Sequence, residues 1–266
     1  MYEPHFGLTA RPFGESSAYV PLPSRDSTLR RLRYGLEHGQ GPALLFGPPG
    51  SGKTRLARAL AAELGAPAAH LAFPAMPAAD LMAFLADELG PSGLNGAAPT
   101  LGATVRRLRG LLSAAAAKGE RPLLVVDEAH LIADPATFEA LRLLLNFASA
   151  GVPDLSLLLV GGPEVLLHLP AGLLDRLTAR CLLGPLTEPE SAAYIAGRLA
   201  AAGAVETLFD PPALSALHRA ADGLPRRLNR LADLALLIAY AEGHPRPDAR
   251  AVAVAAREAM PDQLAA

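Results

Sequence analysis

The sequence predicts an α/β fold: a five-stranded parallel sheet between helices, followed by a small all-helical domain. Three observations carry this. Apolar runs at 43–46 and 123–126 are continuous, and 155–160 nearly so, as strands covered on both faces require. Between these runs, apolar residues recur at helical spacing. After Pro185 the runs stop and only the helical period remains. Strands alternating with helices imply a parallel sheet with right-handed crossovers. The expected division is an N-terminal segment and helix at 1–40 packing on the ligand site, an α/β core at 41–185, and helices at 186–266.

The elements follow in order. Pro4, Pro12, Pro21 and Pro23 keep the start irregular. Ser24 reads as the N-cap of a helix over 25–38, with Leu29, Leu32 and Leu36 on one face. The strand 43–46 runs into a Gly/Pro-rich loop and a helix over 53–64. A strand at 69–73, helices at 80–89 and 105–116, and the strand 123–126 come next. A helix over 136–148 turns Phe138, Leu141, Leu144 and Leu145 inward. The strand 155–160, a short helix at 173–178 and a short strand at 181–183 complete the core. Helices are expected at 188–202, 211–221, 225–240 and 248–259, with exposed loops at 90–102 and 243–247.

Composition narrows the classes. With 51% hydrophobic residues, the chain is not mainly disordered. The single cysteine, Cys181, excludes an internal disulfide framework and a multi-cysteine zinc site, and reads as a core residue. A net charge of -2 argues against a generally basic nucleic-acid binder. The clusters Arg30, Arg31 and Arg33, and Arg106, Arg107 and Arg109, are therefore read as solvated faces in preference to DNA contacts. No leader peptide or membrane span is visible, so a cytoplasmic location is expected. Only Lys53 and Lys118 are lysines; every other Lys/Arg position is arginine.

Lys53 stands inside Gly47-Pro48-Pro49-Gly50-Ser51-Gly52-Lys53-Thr54, which fits the phosphate-loop pattern G-x-x-x-x-G-K-[ST]. Glycines let backbone N–H groups turn inward around phosphates, and the following helix points its positive end at them. Lys53 is expected to bridge the β- and γ-phosphates and Thr54 to ligate Mg²⁺. About 75 residues on, the run 123–126 delivers Asp127 and Glu128 at its C-terminal end, the edge where open α/β sheets bind ligands. Asp127 is expected to hold Mg²⁺ and Glu128 to orient and polarise the attacking water. Adjacent Asp and Glu place the chain in the additional-strand class of phosphate-loop NTPases.

Together with Asp127-Glu128-Ala129-His130 and a helical C-terminal part, the loop resembles that of AAA+ ATPases. The opening Met1-Tyr2-Glu3-Pro4-His5-Phe6-Gly7-Leu8 with Pro12-Phe13 is similar to the general secretion pathway protein A (ExeA-like) family. So are Leu143-Leu144-Leu145-Asn146-Phe147, Gly161-Gly162-Pro163-Glu164 and Gly223-Leu224-Pro225-Arg226-Arg227-Leu228-Asn229. The transposition-associated DNA-binding ATPases (TniB/MuB-like) are close relatives of that family. The resemblance implies that Phe6–Phe13 and Tyr19-Val20 lie near adenine, or instead clamp the N-terminus on the core. It implies that Arg226, rather than Arg227, contacts the γ-phosphate from the lid. It also implies that Arg55 belongs to the nucleotide-binding set, and that Arg176, or Arg180, reaches into a neighbour's site.

The expectation is therefore an ATP-binding and ATP-hydrolysing motor or switch. It uses ATP and Mg²⁺ with Glu128, Lys53, Arg176 and Arg226 as catalytic residues, and works as a homo-oligomer, such as a hexameric ring, through a protein partner. Larger family members carry a membrane span and a peptidoglycan-binding domain after the ATPase. Ending at Ala266 suggests a stand-alone ATPase. Two departures leave a non-hydrolysing switch open. Gly162 stands where the family carries Gln, and Phe73-Pro74 where it often has Asn-Pro. An ATP-gated DNA-binding ATPase that recruits a recombinase is the other alternative. His130 reads equally as a neighbour of the catalytic group and as a solvated helix-start residue.

Overall fold

A computed structural model describes residues 1–14, 19–39, 41–91, 100–149 and 151–259. They form two compact units, one of residues 27–49 and 53–183, the other of 1–26, 50–52 and 184–266.

The first unit is built on a parallel sheet of order β2-β3-β6-β1-β7. Its strands are β1 (Ala43–Phe46), β2 (Ala68–Leu71), β3 (Leu123–Val126), β6 (Ser156–Gly161) and β7 (Ala179–Leu182). β6 lies between β1 and β3, pairing Phe46 with Gly161 and Val126 with Leu159. All residues of β3 and β6 are buried, which is why both read as unbroken apolar sequence. Helices α2 (Lys53–Leu64), α3 (Ala78–Glu88), α4 (Leu101–Ala116) and α5 (Pro135–Leu144) cross between strands or cover them. Leu81, Leu85, Leu108, Phe138 and Leu141 pack with the strand residues in one core. α1 (Pro23–His38) starts ahead of its expected Ser24 cap, with proline in the first turn, where the missing N–H costs nothing.

Several elements differ from expectation. The helix expected over 136–148 ends at Leu144, and a hairpin of β4 (Ala148–Ser149) and β5 (Val152–Pro153) follows. Asp154 closes that hairpin: its carboxylate accepts from the Ser149 N–H at 2.8 Å and Oγ at 3.1 Å, so these polar groups are satisfied outside a helix. The helix expected over 173–178 is instead one turn, α7 (Ala171–Leu174), which starts right after Pro170 and stops at Leu174; a further turn, α6 (Val165–His168), precedes it where none was expected. β2 stops at Leu71, leaving Phe73 65% exposed beyond the sheet. Most of the loop expected at 90–102 lies outside the described residues. Cys181 is buried in β7, and burial pushes its thiol pKa up.

The second unit is helical: α8 (Glu188–Ala201), α9 (Pro211–Ala221), α10 (Pro225–Ala241) and α11 (Ala249–Ala259). α8 opens with a capping box between Thr187 and Glu190. Tyr2, Phe6, Leu8 and Phe13 share one core with Tyr194, Leu199, Leu231 and Leu236 of these helices. The N-terminal aromatics therefore close the hydrophobic core of the helical unit.

Arg198 is the largest fully buried side chain. Its guanidinium donates to the Pro12 carbonyl at 2.9 Å, the Gly14 carbonyl at 2.8 Å and the Tyr194 hydroxyl at 3.0 Å. It also lies 5.6 Å from the Tyr194 ring centroid and 6.0 Å from that of Phe13. Arg198→Ala strands these acceptors in a dry core, so we expect a loss of about 3 kcal/mol of stability. Urea unfolding measures it; a loss below about 1 kcal/mol would contradict the assignment.

Candidate nucleotide-binding site

The loop between β1 and α2 is shaped by its glycines. A Cβ on Gly47 would stand 2.3 Å from the Leu183 carbonyl oxygen, so the loop leaves the sheet at a point that admits no side chain. There the Gly47 N–H donates to the Gly161 carbonyl at 3.2 Å, tying the loop to the end of β6. Gly47→Ala is expected to cost about 2 kcal/mol through forced backbone displacement, read as a lowered denaturation midpoint. Gly50 and Gly52 have φ of 80° and 95°, which L-residues rarely adopt. A Cβ on Gly52 would meet nothing within 4 Å, so glycine is required there by conformation, in front of open space.

Ser51 is 1% exposed, and its Oγ has no hydrogen-bond partner. Lys53, 8% exposed, donates from Nζ to the Gly47 carbonyl at 2.9 Å and the Pro48 carbonyl at 3.2 Å. The loop thus curls around its own ammonium. An orphaned buried hydroxyl, a caged ammonium, left-handed glycines and a helix N-terminus form the donor set that nucleotide phosphates require.

The carboxylates lie at the end of β3. Asp127, buried, accepts from Thr54 Oγ1 at 2.7 Å through Oδ2 and from the Glu128 N–H at 2.9 Å through Oδ1. His70 Nε2 is 3.4 Å from Oδ2, an electrostatic contact across the β2–β3 pair. Burial pushes the Asp127 pKa up; His70, Thr54 and the Glu128 N–H outweigh it and hold the carboxyl below its ordinary value. It therefore stays ionised at neutral pH. A hydroxyl and an ionised carboxylate in contact are the oxygen ligands a hard divalent cation selects.

Glu128 has a left-handed backbone, φ 50° and ψ 35°, which costs a non-glycine residue about 1 kcal/mol. The Leu131 N–H donates to its carbonyl at 2.8 Å. Its side chain, about half exposed, ends 3.5 Å from His130 Nδ1. His130 Nδ1 in turn accepts from the Gly162 N–H at 3.2 Å.

The remaining residues spread out. Arg176, exposed after α7, donates to Asn146 Oδ1 at 3.4 Å, and Arg180 lies over the Phe46 ring at 5.6 Å. Arg55 is half-buried in the first turn of α2. In the helical unit, Arg226 at the start of α10 is exposed, and its N–H donates to the Gly50 carbonyl at 3.1 Å. Arg227 pairs with Asp222. Sequence reading did not single out His70. A lone histidine in a strand gives no signal until the strand order places β2 beside β3.

Comparison with known proteins gives a consistent family. Residues 36–169 match the profile described as AAA domain. The chain is 37% identical over 254 residues, 91% of its length, to general secretion pathway protein A of Aeromonas hydrophila. It spans about half, 46%, of that curated relative. Cdc6p from Pyrobaculum aerophilum superposes with TM-score 0.71 at 20% identity, over 89% of this chain and 67% of that one. The Aeropyrum pernix ORC2 protein, solved as ADPNP–ADP complexes, gives TM-score 0.68 at 20% identity, over 93% and 71%.

Proposed function

Because the chain belongs to the AAA domain family, we propose that it binds ATP with Mg²⁺, hydrolyses it to ADP and phosphate, and works as an oligomeric motor or switch. The observation that carries this reading is the contact of Thr54 with Asp127, which brings the phosphate loop and the acidic strand end together at 2.7 Å. In this reading the amides of Gly50–Thr54, with Gly47, Pro48, Pro49 and Arg55 shaping the loop around them, cradle the phosphates, and Lys53 leaves its carbonyl cage to neutralise them. Thr54 and Asp127 would hold Mg²⁺, which when bound offsets charge on the phosphate oxygens. Glu128 takes a proton from the attacking water.

Arg226 is assigned the lid-arginine role, and Arg176, with Arg180 as its alternative, the role of reaching a neighbouring copy. Both are exposed, as that role requires. Likeness to a secretion-pathway protein supports a protein partner in assembly of secretion machinery. Among the described residues no helix is long and apolar enough to cross a membrane.

The test is phosphate release from ATP with Mg²⁺, with and without a chelator. Turnover that falls to background on chelation is expected; no turnover above a blank would overturn the hydrolytic reading. Sedimentation of the Glu128→Gln protein should show a heavier species with ATP than with ADP. A monomer with full turnover would remove the role of Arg176 in a neighbour's site.

A further inference from the structure

β6 ends on two glycines, and the space beside them is filled from elsewhere. A Cβ on Gly162 would stand 2.2 Å from Glu164 Oε2 and 3.8 Å from His130 Cε1; one on Gly161 would stand 3.3 Å from His130 Nδ1. The Glu164 carboxylate occupies the volume a side chain at 162 would take, and the His130 ring lies in van der Waals contact with it. His130 is also anchored through its backbone, since its carbonyl contacts His168 Nδ1 at 3.1 Å.

The position of Nδ1 matters most. It lies 3.2 Å from the Gly162 nitrogen and 3.5 Å from Glu128 Oε2. A ring nitrogen carries either a lone pair or a proton, so it can serve only one of these neighbours at a time. As an acceptor it takes the Gly162 N–H, and the neutral ring then keeps its proton on Nε2. As a donor it releases Gly162 and holds the Glu128 carboxylate. The ring keeps one proton in both tautomers, and the proton exchanges between nitrogens through water at the partly exposed imidazole. One residue back from Gly162, the Gly161 carbonyl accepts from Gly47, the first residue of the phosphate loop.

We propose that His130 is a positioning residue for Glu128: its Nδ1 passes between the Gly162 N–H and the Glu128 carboxylate. In this way it couples occupancy of the phosphate loop, through Gly47 and Gly161, to the orientation of the base. This rests on the reading of Glu128 as the group that takes the proton. With Nδ1 on Gly162, Glu128 is unrestrained and samples other orientations. With Nδ1–H on one Glu128 oxygen, the carboxylate is held so that its other oxygen accepts from water.

The experiment compares His130→Ala, His130→Asn and the double variant His130→Ala/Gly162→Asn with the parent protein, each checked for an unchanged melting transition. In His130→Ala, kcat should fall about tenfold or more while KM stays within about twofold. In His130→Asn, whose amide can accept from Gly162 or donate to Glu128, turnover should return to within about threefold of the parent. The double variant should recover part of the loss, because the flexible Glu164 carboxylate can swing aside for Asn at 162, whose amide then reaches into the gap left by the imidazole. Equal losses in the Ala and Asn variants, or no loss in Ala, overturn the proposal.

Failure of the parent reading looks different: Glu128→Gln would then turn over like the parent. A readout without turnover separates the two. In protein with ¹⁵N-labelled histidine, the His130 Nδ1 resonance should move between the ADP form and the form with a non-hydrolysable ATP analogue. An identical resonance in both forms overturns the proposal.

Discussion

Lys53→Ala should bind ATP about a thousandfold more weakly than the parent, a loss of about 4 kcal/mol, in a titration with a fluorescent ATP analogue. The argument starts from burial. Lys53 is 8% exposed and held by two carbonyls of its own loop. Its ammonium is therefore largely desolvated beside the loop before any phosphate binds, and a charge-assisted contact formed there is worth far more than one in water. Removing it leaves phosphate charge facing a helix N-terminus without its principal counter-charge. Lys53→Arg should not rescue the loss. A planar guanidinium fork cannot take the place of a compact ammonium between the Gly47 and Pro48 carbonyls. Affinity within about tenfold of the parent would contradict the phosphate-loop assignment.

Glu128→Gln should keep ATP affinity within about threefold and lose at least about a hundredfold in phosphate release, since a positioned general base contributes that much. The substitution keeps size and shape, and the backbone hydrogen bonds that hold residue 128 left-handed come from its own N–H and carbonyl. Only the basicity of the side chain is removed. Retention of binding with loss of turnover separates Glu128 from Asp127, to which the proposed function gives the charge at the cation. Phosphate release equal to the parent's would make the protein a nucleotide switch that does not hydrolyse.

The contiguous parts of the candidate site were legible in the sequence. Gly47–Thr54 and Asp127-Glu128 announce themselves because loop geometry and strand-end placement are local demands. The sheet was legible for the same reason: β1, β3 and β6 are buried on both faces, and nothing else tolerates such runs. What could not be read depends on contacts between distant residues. His70 acquires meaning only when β2 pairs with β3 and sets it beside Asp127. The bond from Gly162 to His130 joins residues on different elements. The hairpin at 148–153 was hidden because Leu143–Phe147 continues an apolar pattern, and the stop comes from the Asp154 side chain reaching back to Ser149. The left-handed turn at Glu128 has no signature either, since only the bonds around it pay for that conformation.

The burial of β6 has a kinetic consequence. All six of its residues are buried, with parallel partners on both sides. Amides in such a strand exchange with solvent only when the whole unit opens, so β6 belongs to the slowest-exchanging part of the molecule. The carbonyl of Gly161 lies at the end of that rigid beam, so a change at Gly47 reaches it as a change in one hydrogen bond and not as a shift of the strand. Any response of the site to its ligand then comes from that hydrogen bond, from the loop in nanoseconds to microseconds and from side chains beside the beam in picoseconds to nanoseconds, and not from sliding of the sheet. Nucleotide should accordingly slow exchange evenly along β6, by the stabilisation that binding gives the whole unit, while the residues from Glu128 to Leu131 change theirs individually.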